Sequence, residues 1–336
     1  MMQSILQYFK WPILATLVSL PIIQVFLGFE AALQTAILIS LEISLSFDNA
    51  VVNATVLKSW DNVWRKAFLV IGLPIAVFGM RFLFPMLIVA GTSDLSVIEA
   101  AKLAFNSPEE YSKAVTSSHD LVAAFGGTFL FMVFWEFFLD EEKSVHWIAW
   151  LEKPLQTLSK LGEAFSLLIL VGTAYAFDLN RPLSFIVSGI MGVILYLLVR
   201  KVGSLAEGTD MEGASAVVKQ GIGGLLYLEV LDASFSFDGV IGAFALTNNV
   251  IIMAIGLGIG AWFVRELTIF FLDKGVTDAY KYLEHGAFWA IGILAALMFL
   301  SVHIEIPEVV TGLIGAGVLA LAVITSPKKS EKESQL

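Results

Sequence analysis

Ten times along the chain, apolar residues run nearly unbroken for about the length of a bilayer crossing: 11–28, 31–57, 66–90, 119–139, 163–178, 182–201, 219–246, 249–272, 285–303 and 307–326. A hydrocarbon core about 30 Å thick takes about 20 helical residues. Lipid offers the backbone no hydrogen-bond partners, so each run must pair its own N–H and C=O groups, which only a helix does. The expected fold is therefore all-α: a polytopic membrane protein of about ten transmembrane helices. Composition agrees. Hydrophobic residues make up 57% of the 336 and charged residues 15%, too little charge to cover a soluble domain of this size.

The first run, Trp11 to Phe29, reads as a retained helix. A single Lys10 precedes it, and Glu30-Ala31-Ala32 is a poor cleavage pattern for a signal peptide. The run 163–178 is short enough to be tilted or re-entrant. Between the runs, 92–118 is a polar loop, and 140–162 is an interfacial segment carrying Trp147 and Trp150. Segment 202–218 reads as a linker, and the charged tail 327–336 as a disordered cytoplasmic end. The absence of cysteine excludes disulfides and thiolate metal sites. A net charge of −10 is no footprint of a nucleic-acid binder.

Lysine and arginine give an orientation. With ten crossings, 15 of the 20 basic residues fall on the face that holds both termini and 3 on the other. The remaining two, Arg81 and Arg265, lie inside helices. Such a bias predicts that both termini are cytoplasmic, in a plasma membrane of bacterial inner-membrane type.

The chain also repeats itself. Glu42-Ile-Ser-Leu-Ser-Phe-Asp48-Asn49 parallels Asp232-Ala-Ser-Phe-Ser-Phe-Asp238-Gly239, 190 residues on. Ile71-Gly-Leu leads to Arg81 as Ile255-Gly-Leu leads to Arg265. His119, Gly126 and Met132 pair more weakly with His285, Gly292 and Met298. The expected halves are residues 1–178 and 179–326, five helices each. An odd number makes the second half enter the membrane from the opposite side, the inverted repeat common in secondary transporters. Glycines 256, 258 and 260 predict close helix approach.

Five carboxylates fall inside two apolar runs: Glu42, Asp48, Glu229, Asp232 and Asp238. Each costs about 2.5–3.5 kcal/mol at a helix centre on the insertion scale, which makes idle carboxylates improbable. Glu42 and Asp48 are six residues apart, as are Asp232 and Asp238, which on a regular helix puts them off a common face. A break near each Ser-Phe-Asp turn would let both acids of a pair point inward; Gly239 permits one. With Asn49 and the hydroxyls of Ser46 and Ser236 they form an all-oxygen set suited to Mn²⁺, Mg²⁺ or Ca²⁺ and not to Cu⁺. The plainer reading is ion pairing with Arg81 and Arg265, yet two arginines cannot neutralise five acids. No nucleophile–base motif, phosphate loop or zinc-protease motif points to an enzyme.

Leu41-Glu42-Ile-Ser-Leu-Ser-Phe-Asp48-Asn49-Ala50 resembles the first signature of the TerC family of integral membrane proteins, within the LysE-like exporters. Glu229-Val-Leu-Asp232-Ala-Ser-Phe-Ser-Phe-Asp238 resembles its second signature, with Gly239 where that family has a small hydroxyl residue. The resemblance implies Mn²⁺ export or metal supply, with Glu42, Asp48, Asn49, Glu229, Asp232 and Asp238 as the metal site. The resulting expectation is a secondary transporter exporting a divalent cation, Mn²⁺ first, in exchange for protons. Its partners would be lipid, metal ions and protons, with a homodimer left open. A metal-delivery or assembly factor and a small-solute exporter are the alternatives. Arg81 and Arg265 are expected to face the interior and to meet the acidic motifs across the pseudo-two-fold axis.

Overall fold

A computed structural model describes residues 2–93, 95–177, 179, 181–207 and 220–327. The chain runs through α1 (Met2–Leu27), α2 (Phe29–Leu45), α3 (Phe47–Leu57), α4 (Asn62–Pro74), a π-helical stretch (Ile75–Leu83) and α5 (Phe84–Thr92). It continues with α6 (Val97–Asn106), α7 (Pro108–Thr116), α8 (His119–Phe138), α9 (Ala149–Gln156), α10 (Gly162–Ala176) and α11 (Pro182–Glu207). It ends with α12 (Ile222–Leu246), α13 (Val250–Asp273), α14 (Val276–Ala279), α15 (Leu283–Ser301) and α16 (Glu308–Thr325). The protein is an all-α polytopic membrane protein.

The described residues of each of the ten apolar runs are mainly helical, but fewer than ten runs meet the demands of a crossing unaided. Among the described residues six helices are long and apolar enough, and seven if α2 and α3 count as one bent span. The shortfall has physical reasons. The 15 residues of α10 rise only about 22 Å at 1.5 Å each. Helix α16 is short as well, and α12 carries three carboxylates in its 25 residues. The expected linker 202–218 falls largely, and the tail from 328 wholly, outside the described residues.

Surface and interior are arranged as lipid requires. Large side chains such as Val25, Phe26, Leu168 and Ile324 stand outward, while Glu42, Asp48, Arg81, Glu229, Asp232 and Arg265 are buried between helices. Side-chain contacts join segments far apart in the chain. Tyr8 donates to Asp273 Oδ2 at 3.0 Å, Trp147 Nε1 donates to Thr325 Oγ1 at 2.8 Å, and Lys58 pairs with Asp278. Arg181 Nη2 likewise reaches Ser117 O at 2.7 Å. The expected polar loop 92–118 is largely helical, as α6 and α7 packed on α5.

Three local features position the candidate site. The chain bends by 49° at Ser46, between α2 and α3. Arg81 sits in the π-helical stretch that follows Pro74, a wide turn of the kind often found at functional positions. The α13 glycines let that helix lie directly on α2: a Cβ at Gly260 would come within 3.2 Å of Ile39 O and collide with the Glu42 side chain. The two sequence halves interleave, with α13 against α2 and α3 and α15 against α8.

Candidate cation site in the membrane helices

The break at Ser46 does what the sequence asked of it. Asp48 is the second residue of α3, and its Oδ1 accepts the Asn49 N–H at 2.9 Å. Ser46 Oγ turns back to Glu42 Oε1 at 3.0 Å. Both acids are buried and both line one cavity of about 50 Å³, together with Ser46, Phe235, Ser236, Gly239, Leu294 and Thr311. The expected matching break at Gly239 is absent: α12 runs unbroken from Ile222 to Leu246. Glycine there allows a break without forcing one. Instead it lets α12 approach, since a Cβ at Gly239 would lie 3.4 Å from Glu42 Oε2.

The arginines divide the acids into two groups. Arg81 Nη2 pairs with Glu42 Oε1, and Arg81 Nη1 donates to Ala76 O at 2.6 Å. Arg265 Nη2 reaches Glu229 Oε1 and Oε2 at 3.1 and 3.3 Å and Asp232 Oδ2 at 3.4 Å, while its Nη1 donates to Phe68 O at 2.7 Å. Asn53 Nδ2 completes Asp232, donating to Oδ1 at 2.8 Å. Each arginine thus pairs with acids of its own sequence half, not across the axis as expected. This holds although α13 lies mainly against α2 and α3, and the π-helical stretch against α12 and α13, so each side chain reaches back to its own half across an interleaved packing.

Four of the expected ligands therefore have distinct places. Glu229 and Asp232 are held by Arg265 away from the cavity. Glu42 is held through one oxygen, leaving the other toward the α12 side of the cavity. Asp48 has no basic side chain paired with it among the described residues. Asn49 is buried with its Oδ1 unpartnered. Ser236 is buried at the cavity wall, and Asp238 lies in α12 with a side chain outside the described residues. Among the described residues no three Asp, Glu or His side chains converge to hold a metal ion.

Sequence reasoning missed Asn53, although an amide one turn after Asn49 in an apolar run was a readable signal. It also missed α16. There a Cβ on Gly315 would lie 2.7 Å from Asp48 Oδ2, and Gly312 packs against Leu45. Nothing in the primary sequence links residue 315 to residue 48.

Residues 47–333 match the family described as "Protein of unknown function (DUF475)". The chain belongs to the DUF475 family. This overturns the resemblance to TerC, to which no match is found. The quoted signatures are short, and carboxylates matched by arginine are a general solution to buried charge, so they do not tell one membrane family from another. The DUF475 chain is also similar to the uncharacterized membrane protein YceF of Bacillus subtilis (strain 168), 31% identical over 110 residues. That alignment spans 32% of this chain and 42% of the relative, less than half of its length. No solved structure matches.

Proposed function

We propose that this DUF475 protein is a secondary transporter that carries a hard divalent cation, Mn²⁺ first, out of the cell through the cavity beside Asp48 and Glu42, in exchange for protons. One observation carries the reading: Asp48 is a buried carboxylate at a cavity that Glu42 also lines, without a paired basic side chain among the described residues. Among the described residues, Glu42, Asp48, Glu229 and Asp232 have Arg81 and Arg265 as their basic neighbours, so when ionised these six side chains carry two negative charges in excess. One divalent cation or two protons would balance them.

The donor set favours an ion that keeps part of its water shell. Two carboxylates with the hydroxyls of Ser46, Ser236 and Thr311 are few ligands, and small hard cations are bound with retained waters. About 50 Å³ leaves room for them, since one water needs about 10–15 Å³ on this measure. Arg81 holds Glu42 in place while its second oxygen stays available. Protonation of Asp48 would release the cation, and the bend at Ser46 is the natural hinge for alternating access. The reading takes both termini as cytoplasmic, from the 15-to-3 split of basic residues.

Proteoliposomes containing the purified protein and a Mn²⁺-responsive dye test this directly. Mn²⁺ should enter against an opposing proton gradient, and Asp48→Asn should abolish the signal. Unchanged flux in Asp48→Asn sinks the site. Tight Mn²⁺ binding with no flux at any gradient would point instead to metal delivery or assembly.

A further inference from the structure

Resting on the transporter reading, we propose that the route from the Asp48 cavity to bulk water passes Thr311 and opens at the end of the bundle that carries the turn between α15 and α16, with Thr311 as its narrowest point. A second cavity, of about 60 Å³, is lined by His119, Ile241, Leu297, Met298, Ser301, Ile306 and Thr311. Thr311 stands in the walls of both cavities, and no other lining residue is shared.

The helices fix the direction. On α15 the inner cavity takes Leu294, and the outer one takes Leu297, Met298 and then Ser301, the last residue of the helix. On α12 the wall moves from Gly239 to Ile241, toward the C-terminal end. On α8 the outer cavity meets His119, the first residue. Ile306 precedes α16 altogether. All four elements therefore agree on one end of the bundle, which the basic-residue count makes the non-cytoplasmic one.

The outer cavity is polar where a mouth should be. Ser301 Oγ and His119 Nε2 lie 3.4 Å apart there. Toward the constriction the wall becomes Leu297 and Met298, with the Thr311 hydroxyl the polar group common to both sides. At the opposite end of the acidic cluster, Arg265 stacks 4.0 Å over the Phe68 ring.

The native chain has no cysteine, so single thiols report without background. Ser301→Cys, Thr311→Cys and, in the lipid-facing row, Leu313→Cys are treated with a membrane-impermeant methanethiosulfonate cation. The reagent is applied from the face that labels the exposed His303→Cys. Thr311→Cys should react at least roughly tenfold faster than Leu313→Cys, the change in thiolate expected from one pKa unit of desolvation. Ser301→Cys should react as fast or faster, and modifying Thr311→Cys should stop Mn²⁺ flux. If Thr311→Cys does not accumulate, Ser236→Cys probes the inner cavity from the same face. Reaction at Thr311 or Ser236 no faster than at Leu313, with Ser301 reactive, overturns the route. Labelling as expected in a protein that carries no Mn²⁺ keeps the route and overturns the transporter reading.

Discussion

Replacing Arg265 with glutamine separates the acids that hold the bundle together from the acid that serves the cavity. Arg265 makes three contacts of 3.1–3.4 Å to two buried carboxylates and a 2.7 Å hydrogen bond to Phe68 O. Glutamine keeps a donor but removes the charge, leaving Glu229 without a paired cation and Asp232 with Asn53. Removing one partner of a buried pair costs about 3–5 kcal/mol, because the other charge stays desolvated. Equilibrium unfolding in mixed micelles should show a loss of that size. Adding Glu229→Gln should then recover at least about 1 kcal/mol, since it removes the stranded charge, and contacting residues couple by about 0.5–3 kcal/mol. A single variant within about 1 kcal/mol of wild type, or a double variant no more stable than the single one, would refute this account of the ion pair.

The remaining predictions follow the same geometry. Asp48→Asn should change stability by less than about 1 kcal/mol, since no paired cation is stranded, while cation flux is lost; severe unfolding would mark Asp48 as structural. Gly72→Ala should destabilise by about 1–3 kcal/mol, as its Cβ would collide with Arg265 and Glu229, whereas Gly172→Ala, with open space around it, should be neutral or mildly stabilising. On the interfacial segment, burial pushes the Glu152 carboxyl up, but the N–H of Ile148, the ammonium of Lys143 and the Trp289 indole outweigh it and hold it below its ordinary 4.5. Its folded value is depressed, so its stabilisation is present above about pH 4.5 and fades as pH falls through the lower folded value. Hydrogen-exchange protection across residues 143–152, taken relative to the intrinsic rate at each pH, should fall at acid pH, and Glu152→Gln should flatten that response.

How far the sequence could be read depended on the range of the interaction. The acid-x-Ser-x-Ser-Phe-Asp run marked Glu42 and Asp48 as a pair needing a break between them, and the break lies at Ser46. The same reasoning at Gly239 failed. A residue's freedom to bend is local, but whether α12 bends depends on the neighbours that keep it straight. The short signatures also misled on family, because they describe how membranes accept charge more than which protein does so.

By itself, then, the sequence determined that this chain is a helical bundle in lipid, and it marked the acids and arginines that would have to be buried. Apolar run length and the cost of unpaired backbone or charge in hydrocarbon are properties of a segment and its solvent, so they can be read without coordinates. Only the tertiary structure decided which acids the arginines neutralise. It alone brought Asn53 to Asp232 and Gly315 to Asp48, and it alone left Asp48 at the cavity without a paired cation among the described residues. Those outcomes rest on contacts between helices far apart in the chain, where a shift of a few ångströms exchanges one partner for another and the primary sequence carries no record of which was chosen.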